Sequence, residues 1–337
     1  MHAVQFARFG DPAEVLDAVD APDPGPPGPG EVAVDFVASP LNPSDLLTVR
    51  GEYGVRPDLP ATPGYEGVGR VVTLGDGVAH LTPGDLVLLM GGRGTWRARE
   101  NLKAARLFPL PAAEPLQLAM LTANPPTALL MLEQFVALDA GQWVIQNAAN
   151  SGVGVALIAI AHARGVRTVN VVRRASLAPQ LEAAGADVVL VDGPDLATRV
   201  RAALDAAASD GAEGRPPHLV RLGIDAVGGH ATARLARCVM EGGTVVNYGS
   251  LSREPCVVEA RDTVFRDVTL RGFWLTRWIA GASQTEISRV FGTVARLVAA
   301  GTIHVPVEAT YPLARVREAA AHSAREGRDG KILLVAD

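Results

Sequence analysis

The chain has 337 residues, of which 48% are hydrophobic and 20% charged, so it can bury substantial cores and is not a disordered chain. That length is a prior for two domains. A net charge of −5, with the acidic residues spread along the chain, gives no electrostatic reason to expect nucleic acid or an anionic membrane as partner. The two cysteines, Cys238 and Cys256, are too few for a four-ligand structural zinc or a disulfide framework, and free thiols are expected. No run reaches the roughly 20 apolar residues that span a bilayer. The start, Met1-His2-Ala3-Val4-Gln5, carries no basic region followed by an apolar one. A cytoplasmic protein is the expectation.

In chain order, residues 21–30 alternate Pro and Gly too densely for a helix or a central strand. Residues 31–37 alternate polar and apolar and predict a half-buried strand, and Ser44-Asp45 predicts the start of a short helix. Strands are predicted over 67–72 and 85–89, with Pro83-Gly84 as a turn. The first ~110 residues are mostly β with many turns. The character changes near Pro115. Helices are predicted over 116–123, 127–135, 151–164 and 177–184. Between and after them come strands over 142–146, 167–172, 187–191, 220–225 and 243–248. This alternation implies a parallel sheet with crossover helices. Helices over 286–300 and 314–326 and a strand over 331–335 close the chain. That last strand is expected to pair with the N-terminal β region.

The strand over 142–146 feeds a turn and then a helix, a geometry that aims backbone N–H groups and a helix dipole at an anion. Small residues let the backbone approach a pyrophosphate closely. Where G-x-G-x-x-G is expected, Ala149-Asn-Ser-Gly-Val-Gly154 keeps only the third glycine. A dinucleotide site is the reading, and a merely tight turn is the alternative. The second strand ends on Val171-Val172-Arg173-Arg174 with no carboxylate for ribose hydroxyls. Two guanidiniums suit a 2′-phosphate, so NADPH is expected over NADH. The alternative for Arg173 and Arg174 is a solvated charge pair. No cysteine precedes Cys238, and His2 and His80 are isolated, so no catalytic zinc is expected.

Several segments then carry a resemblance. They are Leu41-Asn-Pro-Ser-Asp45, Gly51-Glu-Tyr-Gly54, Gly64-Tyr-Glu-Gly-Val-Gly69, Gly94-Thr-Trp-Arg97, Asn124-Pro-Pro-Thr127, Val144 to Gly154, Thr168 to Arg173, and Arg271-Gly-Phe-Trp-Leu275. Over essentially its whole length the chain resembles the medium-chain dehydrogenase/reductase superfamily. Within it, the chain is most similar to the mitochondrial-type trans-2-enoyl-CoA (enoyl-thioester) reductases, relatives of the NADPH:quinone reductases. The resemblance implies an α/β fold: a Rossmann doubly wound parallel sheet plus a β-rich GroES-like catalytic domain. Residues 1–120 and 278–337 are assigned to the catalytic domain and 121–277 to the NADPH-binding domain. The active site is expected in the cleft between them, and a homodimer is expected through the Rossmann domains.

The resemblance further implies Tyr53 as proton donor. It places NADPH on Asn124, Asn150, Ser151, Gly152, Val153, Arg173, Arg174, Tyr248, Gly249, Ser250, Leu251, Phe273, Trp274, Leu275 and Lys331. Three departures stand out. Arg174 stands where the family often has Asp, and Ala175 where it often has a second Arg. Tyr248-Gly-Ser-Leu251 replaces a Tyr-Gly-Gly-Met type of turn. Tyr65 stands where the zinc enzymes of the superfamily show His. The implied reaction is reduction of the C2=C3 bond of an enoyl-CoA or enoyl-acyl-carrier-protein, with hydride to Cβ and a proton to Cα. A phenol with an ordinary pKa near 10 is protonated at neutral pH and able to donate. Trp274 and Trp278 are candidates for an acyl pocket, with core packing the alternative, and Trp96 is equally open. Asp225 and Glu66 read as buried, hydrogen-bonded structural carboxylates. Arg93, Arg97 and Arg99 are candidates for a carrier-protein patch. The rival readings are a quinone or alkenal reductase and, in another class, a non-catalytic NADPH-binding sensor or structural protein.

Overall fold

A computed structural model describes residues 1–90, 94–208 and 220–336. The chain divides into two compact units, one of Met1–Ala123 with Phe291–Asp337 and one of Asn124–Val290. In chain order the first unit opens with β1 (His2–Gln5), α1 (Pro12–Val15), β2 (Asp17–Asp20), β3 (Glu31–Pro40), α2 (Pro43–Arg50), β4 (Glu66–Leu74), β5 (Leu86–Met90), β6 (Arg99–Lys103) and α3 (Pro115–Leu118). The second unit begins with α4 (Asn124–Gln134), β7 (Trp143–Gln146), α5 (Gly152–Ala163), β8 (Arg167–Val172), α6 (Ala178–Ala183), β9 (Val188–Val191) and α7 (Leu196–Ala208). It continues with β10 (Val220–Asp225), α8 (Gly229–Cys238), β11 (Thr244–Asn247), α9 (Ala260–Val264), β12 (Thr269–Gly272) and α10 (Leu275–Gly281). Helix α11 (Gln284–Ala299) crosses the division. The first unit is completed by β13 (Val307–Pro312), α12 (Val316–Ser323) and β14 (Lys331–Val335).

In the first unit the sheet order is β13-β14-β3-β4-β5, with β6 also paired to β3. Strand β14 runs antiparallel to β3 with Leu333 opposite Pro40, so the chain's last strand returns to the N-terminal sheet. Two register shifts between β3 and β4 bend the pair, as bulges do. Val32, Val34 and Phe36 of β3 meet Val71, Val87, Leu313 and Ile332 in one core. Trp96 is fully buried there, its indole N–H donating to Ser39 Oγ at 2.9 Å. Its place is in the core.

In the second unit six parallel strands are ordered β12-β11-β10-β7-β8-β9. Counted from β7, that is the 3-2-1-4-5-6 winding of a Rossmann sheet, with the order reversing between β7 and β10. Both faces of the sheet are covered, so its inner strands read as nearly unbroken apolar runs. Helix α5 is buried from Gly152 to Ala161. Strand β12 differs: all four residues are exposed, and it forms an edge.

Several elements differ from expectation for identifiable reasons. The helix predicted over 116–123 is only one turn, because the N–H groups of Thr122 and Ala123 donate to the Glu66 carboxylate rather than to a helix. Helix α4 starts three residues earlier than predicted. Pro125 and Pro126 sit in its first turn, where no N–H is needed. The segment over 177–184 splits into a 3-10 turn, Ala175–Leu177, and α6.

Candidate functional site

Each unit carries a buried polar centre. In the second, the turn after β7 lies at the reversal of strand order, where such sheets bind ligands. It is tied to both neighbouring strands: Asn147 N–H donates to Ile224 O at 3.1 Å and Ala149 N–H to Val171 O at 3.3 Å. Ala148 adopts φ +47°, which turns the chain sharply towards α5. Ser151 caps that helix, its Oγ accepting from Gly154 N–H at 3.1 Å. At Gly154 a Cβ would lie 2.4 Å from Ala149 O, so only glycine lets the helix start this close to the turn. The first-turn amides and the helix dipole create a place for an anion.

Behind the turn lies a buried network absent from the sequence reading. Asp225, at the end of β10, accepts from Asn147 Nδ2 at 2.6 Å, Thr232 Oγ1 at 2.6 Å, Asn247 Nδ2 at 3.0 Å, and the N–H groups of Val227 and Gly228. Asn147 Oδ1 in turn accepts from Ala226 N–H at 2.8 Å. One carboxylate thus ties together the ends of β7, β10 and β11. The available signal was Asn147 just after β7, Asp225 at the end of β10 and Asn247 at the end of β11. Asp225 is buried and hydrogen-bonded, as a structural carboxylate should be.

The expected cofactor residues of this unit distribute as follows. Asn150 is exposed at the turn, with Ser151 half-buried and Gly152 and Val153 buried behind it. The Tyr248 hydroxyl hydrogen-bonds Ser151, which brings two of the expected residues together, and burial pushes its phenol well above the usual value. Gly249 is half-buried; Ser250 and Leu251 are exposed. Phe273 N–H donates to Asn247 O at 2.9 Å, and its ring meets Phe135 edge-on at 6.2 Å. Trp274 is 40% exposed at the start of α10, followed by half-buried Leu275. Asn124 opens α4. Arg173 is exposed just past β8, and Arg174 is half-buried beside it. The acidic residue next to this strand end is Asp192, whose N–H donates to Val172 O. Its carboxylate is already neutralised by a two-pronged pair with Arg234 at 2.7 and 2.5 Å.

In the first unit the centre is built around α2. Asp45, in its first turn, accepts from the N–H groups of Asn42 at 2.7 Å and Tyr65 at 3.0 Å. Glu66, the first residue of β4, accepts from Asn42 Nδ2 at 2.7 Å, Thr122 N–H at 2.9 Å, Thr122 Oγ1 at 3.0 Å and Ala123 N–H at 2.8 Å. Lys331, opening β14, donates to Asn42 Oδ1 at 2.5 Å. Burial pushes the Asp45 carboxyl up to about 7, against its two N–H donors and helped by the nearby Glu66 charge. Burial also raises Glu66, opposed by Asn42 and Lys331, and lowers Lys331, opposed by Glu66 and Asp45. Lys331, expected at the cofactor, thus has its ammonium drawn to this cluster.

Tyr53 follows the left-handed cap of α2 at Gly51 and is half-buried. Its ring packs on Tyr65, with centroids 5.5 Å apart and planes tilted by 53°. Tyr65 meets Thr48 hydroxyl to hydroxyl at 2.9 Å, and burial raises its phenol above the ordinary value. Arg99 is paired with Asp35 at 2.9 Å and Arg97 lies 3.9 Å from Glu100, so neither presents an unengaged charge to a carrier protein. Arg93 lies outside the described residues.

A Rossmann-ordered parallel sheet and a GroES-like β unit define the class, the medium-chain dehydrogenase/reductases. Residues 28–112 match the alcohol dehydrogenase GroES-like domain and 152–295 match the zinc-binding dehydrogenase domain. The human mitochondrial enoyl-[acyl-carrier-protein] reductase is 36% identical over 328 residues, 93% of this chain and 83% of that protein. The chain belongs to the enoyl-[acyl-carrier-protein] reductase family. Among solved structures, an Etr1p variant in complex with NADP and crotonyl-CoA has a TM-score of 0.86 at 25% identity, covering 99% of this chain and 98% of that one. Escherichia coli quinone oxidoreductase complexed with NADPH has a TM-score of 0.83 at 26% identity, covering 99% and 100%. Among the described residues no three His, Cys, Asp or Glu side chains are grouped to hold an ion.

Proposed function

We propose that the protein reduces the C2=C3 bond of trans-2-enoyl thioesters with NADPH, hydride going to Cβ and a proton to Cα. The observation that carries this reading is the 36% identity to the human enoyl-[acyl-carrier-protein] reductase across 93% of the chain. The Etr1p variant solved with NADP and crotonyl-CoA supports the same cofactor and substrate class. The turn at Asn150, Ser151, Gly152 and Val153 would hold the pyrophosphate. The dipole and first-turn amides of α5 support this, and the close approach at Gly154 keeps the helix start against the turn. Arg173 and Arg174 would receive the 2′-phosphate at a strand end whose neighbouring carboxylate, Asp192, is neutralised. Asn124, Tyr248 to Leu251, Phe273 to Leu275 and Lys331 complete the proposed contacts. When bound, NADPH supplies the hydride.

The chain's own task is the proton. Tyr53 is the proposed general acid, a phenol held on the Tyr65 ring beyond the cap of α2. Removing such a donor costs about 10²–10⁴ in rate. Tyr53→Phe is therefore expected to lower kcat with crotonyl-CoA by that order while the NADPH Kd stays put. Unchanged kcat removes Tyr53 from the reaction.

The assembly proposed is a homodimer through the second unit. The support is edge strand β12, exposed along its whole length, near Val264 and Phe265, which are 69% and 79% exposed. The compartment proposed is the cytoplasm, and the two free cysteines suit a reducing one. The curated relative named above is mitochondrial.

A further inference from the structure

We propose that Tyr65 is a positioning residue for Tyr53: its ring is the surface on which the proton donor rests, and helix α2 holds that surface at both ends. The inference rests on the reading of Tyr53 as general acid. Tyr53 lies in the irregular stretch between α2 and β4, where no strand ladder or helix orients it. That stretch is pinned at other points. Glu52 N–H donates to Leu47 O, Arg56 Nε donates to Gly51 O at 2.7 Å, and Ala61 pairs with Phe6. Beside these, the Tyr65 ring lies against the Tyr53 ring itself, at 5.5 Å.

Tyr65 is in turn fixed to α2 twice. Its N–H donates to Asp45 in the helix's first turn at 3.0 Å. Its hydroxyl meets Thr48 Oγ1, one turn further, at 2.9 Å. The Thr48 hydroxyl has a single proton, and that proton goes to Ser44 O at 2.8 Å. Tyr65 must therefore be the donor in its pair with Thr48. This bond anchors the outer end of the Tyr65 ring to α2, as the Asp45 bond anchors its backbone. The same helix ends at Gly51, two residues before Tyr53, so donor and platform are referenced to one rigid element. A misplacement of the order of 1 Å at a reacting group costs as much as about 10²-fold in rate.

The test is a double-mutant cycle on kcat for crotonyl-CoA reduction, using Tyr65→Leu, Tyr53→Phe and the pair, with NADPH Kd and thermal midpoint measured alongside. Tyr65→Leu is expected to lower kcat about 10- to 100-fold. In the Tyr53→Phe background the same change should add almost nothing, because there is no donor left to position. Tyr65→Phe and Thr48→Val, which keep the ring and free its hydroxyl, should each lower kcat by a similar few-fold, and together no further. Losses that multiply across 53 and 65, or that follow the thermal midpoint instead of kcat, overturn the inference and leave the proposed function standing. If Tyr53→Phe leaves kcat unchanged, the general acid and its platform fall together. If the unaltered protein turns over no enoyl thioester, the proposed function falls first and the inference with it.

Discussion

Gly154→Ala puts the dinucleotide turn under direct strain. The added Cβ would lie 2.4 Å from Ala149 O and 2.7 Å from both Ala149 C and Cα, all backbone atoms. Ordinary contact begins near 3.4 Å, so the start of α5 and the turn must part by about 1 Å. Neither side gives easily. The turn is bonded to β8 and β10 through Ala149 and Asn147, and α5 is buried through Ala161. Parting them also stretches the Ser151 cap and the bond from Gln146 Nε2 to Gly154 O, now 3.1 and 3.0 Å. Overpacking of this kind costs about 1–3 kcal/mol. The entropy gained by replacing glycine returns about 0.4–1 kcal/mol, which does not offset it. The thermal midpoint should fall by several degrees, at roughly 2–4 °C per kcal/mol for a domain of this size. The NADPH Kd, titrated by calorimetry, should weaken about tenfold, since the same atoms form the proposed pyrophosphate cradle. A variant with unaltered midpoint and unaltered Kd would refute both the tight packing and the cradle.

Three further outcomes are expected. Arg173→Ala combined with Arg174→Ala should weaken NADPH by about one to two orders of magnitude, from lost charge-assisted bonds, while NADH is hardly changed; equal losses for both cofactors would contradict the 2′-phosphate assignment. Asp45 has a folded pKa of about 7 against an ordinary 3.8. The folded state therefore holds that proton more tightly, and the stability it contributes is full below the lower value and lost as pH rises through the upper one. Urea midpoints from about pH 5 to about pH 8 should fall in the unaltered protein relative to Asp45→Asn, and parallel curves would sink the assignment. Phe265→Glu should turn the proposed dimer into monomers in light scattering after gel filtration; an unchanged mass would place any interface elsewhere.

Legibility in the sequence followed local pattern. Strands β8, β10 and β14 match the predicted ranges, because each sets Val, Leu or Ile at close intervals over five or six residues. Strand β12, Thr-Leu-Arg-Gly, carried no such signal. It is an exposed edge, paired to β11 alone among the described residues, and neither face imposes a pattern. Helix α8 opens on Gly229 after Gly228 at φ +78°, which reads as a turn rather than a cap. The turn around Ser151 was legible because small residues between an apolar strand and an apolar helix have a direct physical meaning. The Asp225 network was not, since its partners come from positions up to 78 residues away and meet only when β7, β10 and β11 lie side by side. Tyr65 stood out only as the residue in place of a histidine. Its tie to α2 and its contact with Tyr53 belong to three dimensions. Lys331 was expected at a cofactor, and the fold shows what a sequence cannot, two buried carboxylates competing for its charge.

The most direct measurement follows NADPH oxidation by absorbance with crotonyl-CoA and longer enoyl thioesters beside a quinone, for the unaltered protein and for Tyr53→Phe. The account predicts higher kcat/KM for an enoyl thioester than for the quinone, and a loss of about 10² or more on the thioester alone when Tyr53 is changed. Turnover of the quinone alone, indifferent to Tyr53, would contradict it.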